Sequence, residues 1–159
     1  MDAEKLLKLL KENKVRFVII GATAFPVYGY SRATLDIDIF IEPNSQNAER
    51  TRKVLAKFGY DVTDISVKDL LTKKVLIRQY LVETDVHPFV TGADFESVWG
   101  HKVKGKFGDT FVWFASLEDL IRMKKAAGRP KDIEDLKFLL RLKRKLSIPS
   151  RHIRRKNPR

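Results

Sequence analysis

Two aspartates one residue apart, Asp36 and Asp38, lie in Leu35-Asp-Ile-Asp-Ile-Phe-Ile41, the cleanest alternation in the chain. On a strand, period-2 geometry puts Leu35, Ile37, Ile39 and Ile41 on one face and Asp36, Asp38 and Phe40 on the other. The isoleucine face is the expected core. The two carboxylates then stand side by side, roughly 6–7 Å apart along the strand. Aspartate is disfavoured in strands and like charges on one face repel, so the pair costs stability unless a cation accompanies it. A hard divalent ion resolves that repulsion: Mg²⁺ takes one or two carboxylates and fills its other positions with water and phosphate oxygens. The plain alternative is a solvent-facing edge strand that happens to carry two acids.

The flanking sequence bears on this choice. Upstream, Ile20-Gly21-Ala22-Thr23 reads as a strand running into a small-residue turn and then a helix. Such a turn leaves backbone N–H groups free at a helix start, a natural cradle for phosphate, and Gly21 lets a ligand approach the backbone closely. Downstream, Asp85 sits in the strand-like stretch Tyr80 to Phe89, able to bring a third carboxylate from a neighbouring strand. His87 follows two residues later and reads as a packed or surface histidine; His101 and His152 read as surface. The three histidines show no metal-ligand spacing. Trp99 and Trp113 read as core or helix–sheet packing, with stacking on a base as the alternative for either.

The elements that must position these groups follow from pattern and punctuation. A short helix carries Leu6, Leu7, Leu9 and Leu10, with Asp2 as its cap. Val15 to Ile20 is a buried strand, Ala22 to Tyr30 a helix with Pro26 near its start, and Leu35 to Ile41 a strand. Pro43-Asn44-Ser45 caps a helix that Gly59 closes after Phe58. Asp61 to Thr63 reads as extended, Val67 to Leu71 as one or two helical turns, and Val75 to Val82 and Glu83 to Phe89 as strands. Asp94 to Trp99 is a short helix, and Val103 with Thr110 to Phe114 a late strand pair. Ser116 opens a helix with Glu118 and Asp119 in its first turn, where the macrodipole favours acids, and Gly128 ends it. Asp132 caps a last helix with Leu136, Leu139 and Leu140. The sum is an α/β (α+β) domain, a mixed sheet with helices packed on it and a C-terminal helix pair.

Composition narrows the classes. With 159 residues, 43% apolar and 33% charged, the chain is one domain's worth of protein and not a disordered one. It has no Cys, which excludes a disulfide scaffold, a zinc ribbon, an iron–sulfur centre and a thiol nucleophile. No apolar run reaches the ~20 residues of a membrane span, and the start does not resemble a signal peptide, so a cytoplasmic protein is expected. The formal charge is +12, and Arg141 to Arg159 holds nine basic residues and no acid. Subtracting those nine leaves +3 for residues 1–140. The expected division is therefore a domain over 1–145 and a basic tail over 146–159. A tail of that kind holds an anionic polymer such as RNA through phosphate contacts, or simply keeps the chain soluble. It carries no aromatic residue on which a base could stack.

Strand, glycine turn, helix, Asp-x-Asp strand and a distant Asp: this order resembles the nucleotidyltransferase superfamily related to DNA polymerase beta. Its signature is a hydrophobic residue, Gly, Gly or Ser, a spacer, and Asp-hydrophobic-Asp-hydrophobic. Here Ile20-Gly21-Ala22 is followed by thirteen residues, Thr23 to Leu35, and then Asp36-Ile37-Asp38-Ile39. Ala22 departs from the pattern, which removes a hydroxyl contact to phosphate. Two further stretches are similar to the small, minimal nucleotidyltransferases of bacteria and archaea. One is the lead-in Arg32-Ala33-Thr34-Leu35-Asp36-Ile37-Asp38. The other is the helix pair Ser116 to Lys124 with Gly128-Arg129-Pro130-Lys131-Asp132 and Asp135.

The resemblance implies that Asp36, Asp38 and Asp85 hold two Mg²⁺ ions, with Mn²⁺ able to replace them. An acceptor hydroxyl would attack the α-phosphate of a nucleoside triphosphate such as ATP, and pyrophosphate would leave. Gly21, Ala22 and Thr23 would cradle the β- and γ-phosphates, with Lys124 as a cation on the triphosphate. Arg32 and Arg129 would either contact phosphate or pair with Asp132 and Asp135. The acceptor would be RNA (a tRNA end among others), a protein side chain as in nucleotidylating toxins and antitoxins, or a small molecule. A chain this short leaves little room for an acceptor domain, so a partner protein or a homodimer would complete it. The competing readings are a non-catalytic nucleotide- or RNA-binding module on the same fold, and a basic RNA-binding domain whose Asp-x-Asp is accidental.

Overall fold

Phe17–Ile20 (β1) is buried at all four residues and lies inside the sheet, so it has no polar face at all. A computed structural model describes residues 2–34, 36–80 and 82–147. Ahead of β1 runs Asp2–Glu12 (α1), with Leu6, Leu7 and Leu10 buried along one side and Leu9 partly buried. The capping role expected of the Asp2 side chain lies outside the described residues.

After β1 the chain forms a 3₁₀ helix, Gly21–Tyr28, rather than an α-helix from Ala22 to Tyr30. Pro26 sits inside it, lacking an N–H for an α-helical bond, and Gly29 (φ +86) ends it in the left-handed region. Asp36–Ile41 (β2) follows, then Ser45–Phe58 (α2), whose N-cap Asn44 accepts a hydrogen bond from the Asn47 N–H at 2.8 Å. Asp61 to Thr63, expected extended, is a turn in which Asp61 accepts from the Thr63 N–H and hydroxyl. Val67–Thr72 (α3) opens with a capping box between Ser66 and Asp69. Val75–Ile77 (β3) is shorter than the Val75 to Val82 strand expected, and Tyr80 (φ +60) turns the chain before Glu83–His87 (β4).

Phe95–Gly100 (α4) is capped by Asp94, and Val103–Phe107 (β5) and Thr110–Phe114 (β6) form a hairpin. Leu117–Ala127 (α5) begins at the Ser116 cap and ends at Gly128 (φ +63). The last helix, Pro130–Ser147 (α6), starts ahead of Asp132. Proline suits the first helical position, and Asp132 in the first turn reaches back to the Arg129 N–H at 3.2 Å. The basic stretch from 148 to 159 lies outside the described residues.

The strand order is β3-β4-β2-β1-β6-β5. β1 pairs antiparallel with β2 and parallel with β6, while β2 pairs parallel with β4. The Asp-x-Asp strand is therefore interior rather than an edge. On its isoleucine face Ile37 is level with Thr84, whose hydroxyl meets Tyr60 at the end of α2 at 2.9 Å. On the other face Phe40 is buried edge-on against Phe95 of α4, with centroids 5.3 Å apart at 88°. That face is closed over Phe40 and opens only towards Asp38 and Asp36.

Candidate active site

The parallel register of β2 and β4 sets Asp36 level with Glu83, Asp38 with Asp85 and Phe40 with His87. Side chains level across neighbouring strands share a face, so four carboxylates and an imidazole project together. One donor atom from each of Asp38, Asp85 and His87 lies within 4.8 Å of the others. His87 Nε2 meets Asp38 Oδ1 at 2.8 Å. The histidine read as packed or surface-lying, two residues from Asp85, thus touches the central aspartate. Its clue in the sequence was the spacing Glu83, Asp85, His87, which repeats every second residue on one strand.

The like charges are not left bare. Asp85, 3% exposed, is bound by Arg78 Nη1 at 2.6 Å and faces Lys74 Nζ at 3.4 Å. Arg78 also reaches Glu83 at 3.5 Å and Asp36 at 3.7 Å. The hydrogen bond to Asp85 raises the Arg78 pKa further, so the guanidinium stays charged throughout. Asp36 accepts from the Thr34 hydroxyl at 3.1 Å. Neither Arg78 nor Lys74 stands out in the sequence, because their relevance depends on the pairing of β3 against β4.

Gly21 begins the 3₁₀ helix directly beside Asp38. Its φ is +66, and a Cβ there would fall 2.7 Å from Asp38 Oδ2. Ile20, at the N-cap, makes no side-chain cap hydrogen bond to the first turn of that helix. Ala22 is buried, and the Thr23 hydroxyl donates to the Asp36 carbonyl at 3.3 Å. A cavity of about 440 Å³ opens against Gly21, Asp38 and His87, with Lys74, Lys124 and Arg129 along its wall.

Lys124 is ion-paired twice, to Asp132 at 3.0 Å and Asp135 at 3.2 Å. Arg32 grips Asp135 with Nε at 2.8 Å and Nη2 at 2.9 Å, and its Nη1 donates to the Ala33 carbonyl. Arg129 pairs with Asp132 at 2.7 Å. Burial pushes the Asp132 carboxyl up, but hydrogen bonds from Arg129 and Lys124 outweigh it and hold the pKa at about 2. Asp135 is likewise held below its ordinary value, burial being overcome by Arg32 and Lys124. This cluster ties the loop before β2 to α5 and α6. His101, expected on the surface, is 57% exposed yet its Nδ1 sits 3.1 Å from Asp119, a fully buried carboxylate. Trp113, expected in packing, is 38% exposed on β6; Trp99 stacks on Phe95 with centroids 5.8 Å apart.

Residues 1–149 match the model of a family described as nucleotidyltransferase of unknown function, DUF6036. The chain belongs to that family. Among solved structures it is similar to a crystal structure from Thermotoga maritima at 1.87 Å resolution, titled a "putative nucleotidyltransferase". The TM-score is 0.60 at 16% identity, covering 87% of this chain and 90% of the other, a likeness of fold. No curated protein matches. Among the described residues no helix is long and apolar enough to cross a membrane.

Proposed function

We propose that this nucleotidyltransferase-family chain transfers a nucleoside monophosphate from a triphosphate to an acceptor hydroxyl, with a divalent cation held by Asp36, Asp38 and Asp85. The observation that carries the reading is the level placement of Asp38 and Asp85 on adjacent parallel strands beneath the Gly21 turn. The donor set suits Mg²⁺ or Mn²⁺: carboxylate oxygens dominate, and the one imidazole, His87, favours Mn²⁺. When bound, the cation supplies charge neutralisation to the attacking and leaving oxygens of an in-line displacement.

The chain's own groups supply positioning and charge. The N–H groups of Gly21, Ala22 and Thr23, at the start of the 3₁₀ helix, would donate to the triphosphate oxygens. Lys124 has three N–H donors and commits two to Asp132 and Asp135, which leaves one for a phosphate. Lys74 and Arg129, on the same cavity wall, add positive charge. Arg32 spends its donors on Asp135 and Ala33 and so holds the lead-in to β2 in place. The acceptor class that suits the basic tail is RNA, reached in the cytoplasm through the 146–159 segment beyond the 1–145 domain; a protein side chain is the other class.

One observation favours a second reading, a nucleotide- or RNA-binding module that performs no transfer. Asp85 is already neutralised by Arg78 at 2.6 Å. Calorimetry of each nucleoside triphosphate with and without Mg²⁺, on the native chain and on Asp36→Asn and Asp38→Asn, separates the two when joined to an α-labelled triphosphate transfer assay. Aspartate- and metal-dependent binding with transfer supports the enzyme. The same binding without transfer to RNA or protein supports the module, and no metal-dependent triphosphate binding removes the enzyme and leaves an RNA-binding module.

A further inference from the structure

The β5–β6 hairpin presents two aromatic rings to solvent. Phe111 is 42% exposed and Trp113 38% exposed, whereas Val112 and Phe114, between and beyond them, are buried. The antiparallel register sets Lys104 opposite Trp113 and Lys106 opposite Phe111, so rings and ammonium groups alternate on one face. Trp99 of α4 and Lys11, Lys14 and Arg16 from the other side complete a groove of about 410 Å³. No acidic side chain lines it. Arg16 pairs with Glu42 at 2.9 Å; the lysines around the rings have no carboxylate within salt-bridge distance among the described residues.

These cations lie over the rings they surround. Lys102 Nζ stands 4.2 Å from the Trp99 centroid and 4.7 Å from that of Trp113, while Lys104 and Lys106 stand 4.6 and 5.1 Å from that of Phe111. Exposed cation–π contacts of this kind are weak, about 0.5–1 kcal/mol. A flat ring taking their place stacks on the same π faces and frees each ammonium for an anion beside it. A ligand that supplies flat rings and anions in alternation, at a spacing of a few ångströms, is a nucleic-acid strand with its bases unstacked.

We propose that this groove binds single-stranded nucleic acid, with bases on Trp113 and Phe111 and backbone phosphates on Lys104, Lys106 and the lysines at the rim. The site is separate from the carboxylate cavity but lies on the same face of the sheet. Phe114 is level with Ile19, and Ile20 with Asp38, so the alternate residues Phe111 and Trp113 leave the sheet on the Asp38 side. It supplies the stacking surface that the basic tail lacks. It requires no catalytic activity, and so stands or falls apart from the transfer reaction.

Both tryptophans of the chain line the groove, which makes intrinsic fluorescence a direct probe. The full chain is titrated with labelled twelve-nucleotide oligouridylate and oligothymidylate, reading anisotropy and tryptophan quenching at several salt concentrations. Quenching on binding is expected, with Trp113→Ala and Phe111→Ala each raising Kd at least fivefold and Trp113→Phe restoring most of the affinity. Lys104→Gln with Lys106→Gln should flatten the log Kd against log salt slope by about 1.4, because each phosphate contact on a single strand contributes about 0.7. Lys53→Gln, exposed on α2, should change neither reading beyond its share of net charge. If Trp113→Ala fails to fold, the Trp113→Phe and double-lysine variants still decide. Tighter binding of oligouridylate assigns RNA, and tighter binding of oligothymidylate assigns DNA. Unchanged affinity in the aromatic variants, or equal competition by polyglutamate at matched charge, overturns the proposal.

Discussion

A Cβ placed on Gly21 would lie 2.7 Å from Oδ2 of Asp38. The glycine serves the aspartate as much as any phosphate: it lets the backbone turn with φ +66 while passing close under the carboxylate. Gly21→Ala should destabilise the fold by about 1–2 kcal/mol through left-handed strain alone. It should also displace Asp38 and abolish metal-dependent nucleotide binding. Ala22→Ser, one residue on, should leave both nearly unchanged. Denaturant unfolding and calorimetry on the two variants check this; equal effects would count against the close approach as the reason for the glycine.

Asp38→Asn keeps the shape of the side chain and removes its charge. Triphosphate binding should lose its dependence on Mg²⁺ and transfer should fall by at least two orders of magnitude, with the fold intact. Stability without metal should hold or rise slightly, since repulsion from Asp36 is relieved. Retained activity would remove Asp38 from the metal site.

Arg78 and a divalent cation draw on the same oxygens, those of Asp36 and Asp85. Removing the guanidinium strands the nearly buried Asp85 beside Lys74 alone. Arg78→Ala should therefore lower the melting temperature without metal. Its Mn²⁺-induced rise in melting temperature should exceed that of the native chain. Equal rises would show that the arginine and the ion do not compete.

The Asp132 carboxyl sits at about 2 and that of Asp135 below its ordinary value of 3.8. The folded chain binds these protons less tightly than the unfolded one. Their stabilisation is therefore complete above about pH 4 and is lost as pH falls towards 2. Asp132→Asn should cost stability at pH 7 and little at pH 2. Urea midpoints across that range test it: curves for native and variant that run parallel would contradict the ion-pair account.

Some of this was legible locally. Asn44, Ser66, Asp94 and Ser116 cap helices because a side-chain oxygen reaches an N–H three residues on, and that distance needs no tertiary partner. Gly59 and Gly128 end helices for the same kind of reason. The alternation from Asp36 to Ile41 set which side chains share a face, and the spacing from Gly21 to Asp36, joined to Asp85, the Arg32 lead-in and the Ser116 to Asp135 stretch, carried the resemblance to nucleotidyltransferases. Proline within a short helix was less legible: Pro26 pulled the segment after Gly21 into 3₁₀ geometry.

What the tertiary structure decided was adjacency. Alternation says that Asp85 and His87 share a face, but only the parallel register of β4 on β2 brings that face level with Asp38. A shift of that register by one residue would send Asp85 to the opposite face. Arg78 reaches the carboxylates, and Lys124 reaches Asp132 and Asp135, because segments far apart in the chain dock side by side. Trp113 is left partly exposed because β6 lies beside the edge strand β5, at the margin of the sheet. Side-chain direction follows from the backbone period within one strand; strand order and docking depend on contacts between distant segments, which no local pattern encodes.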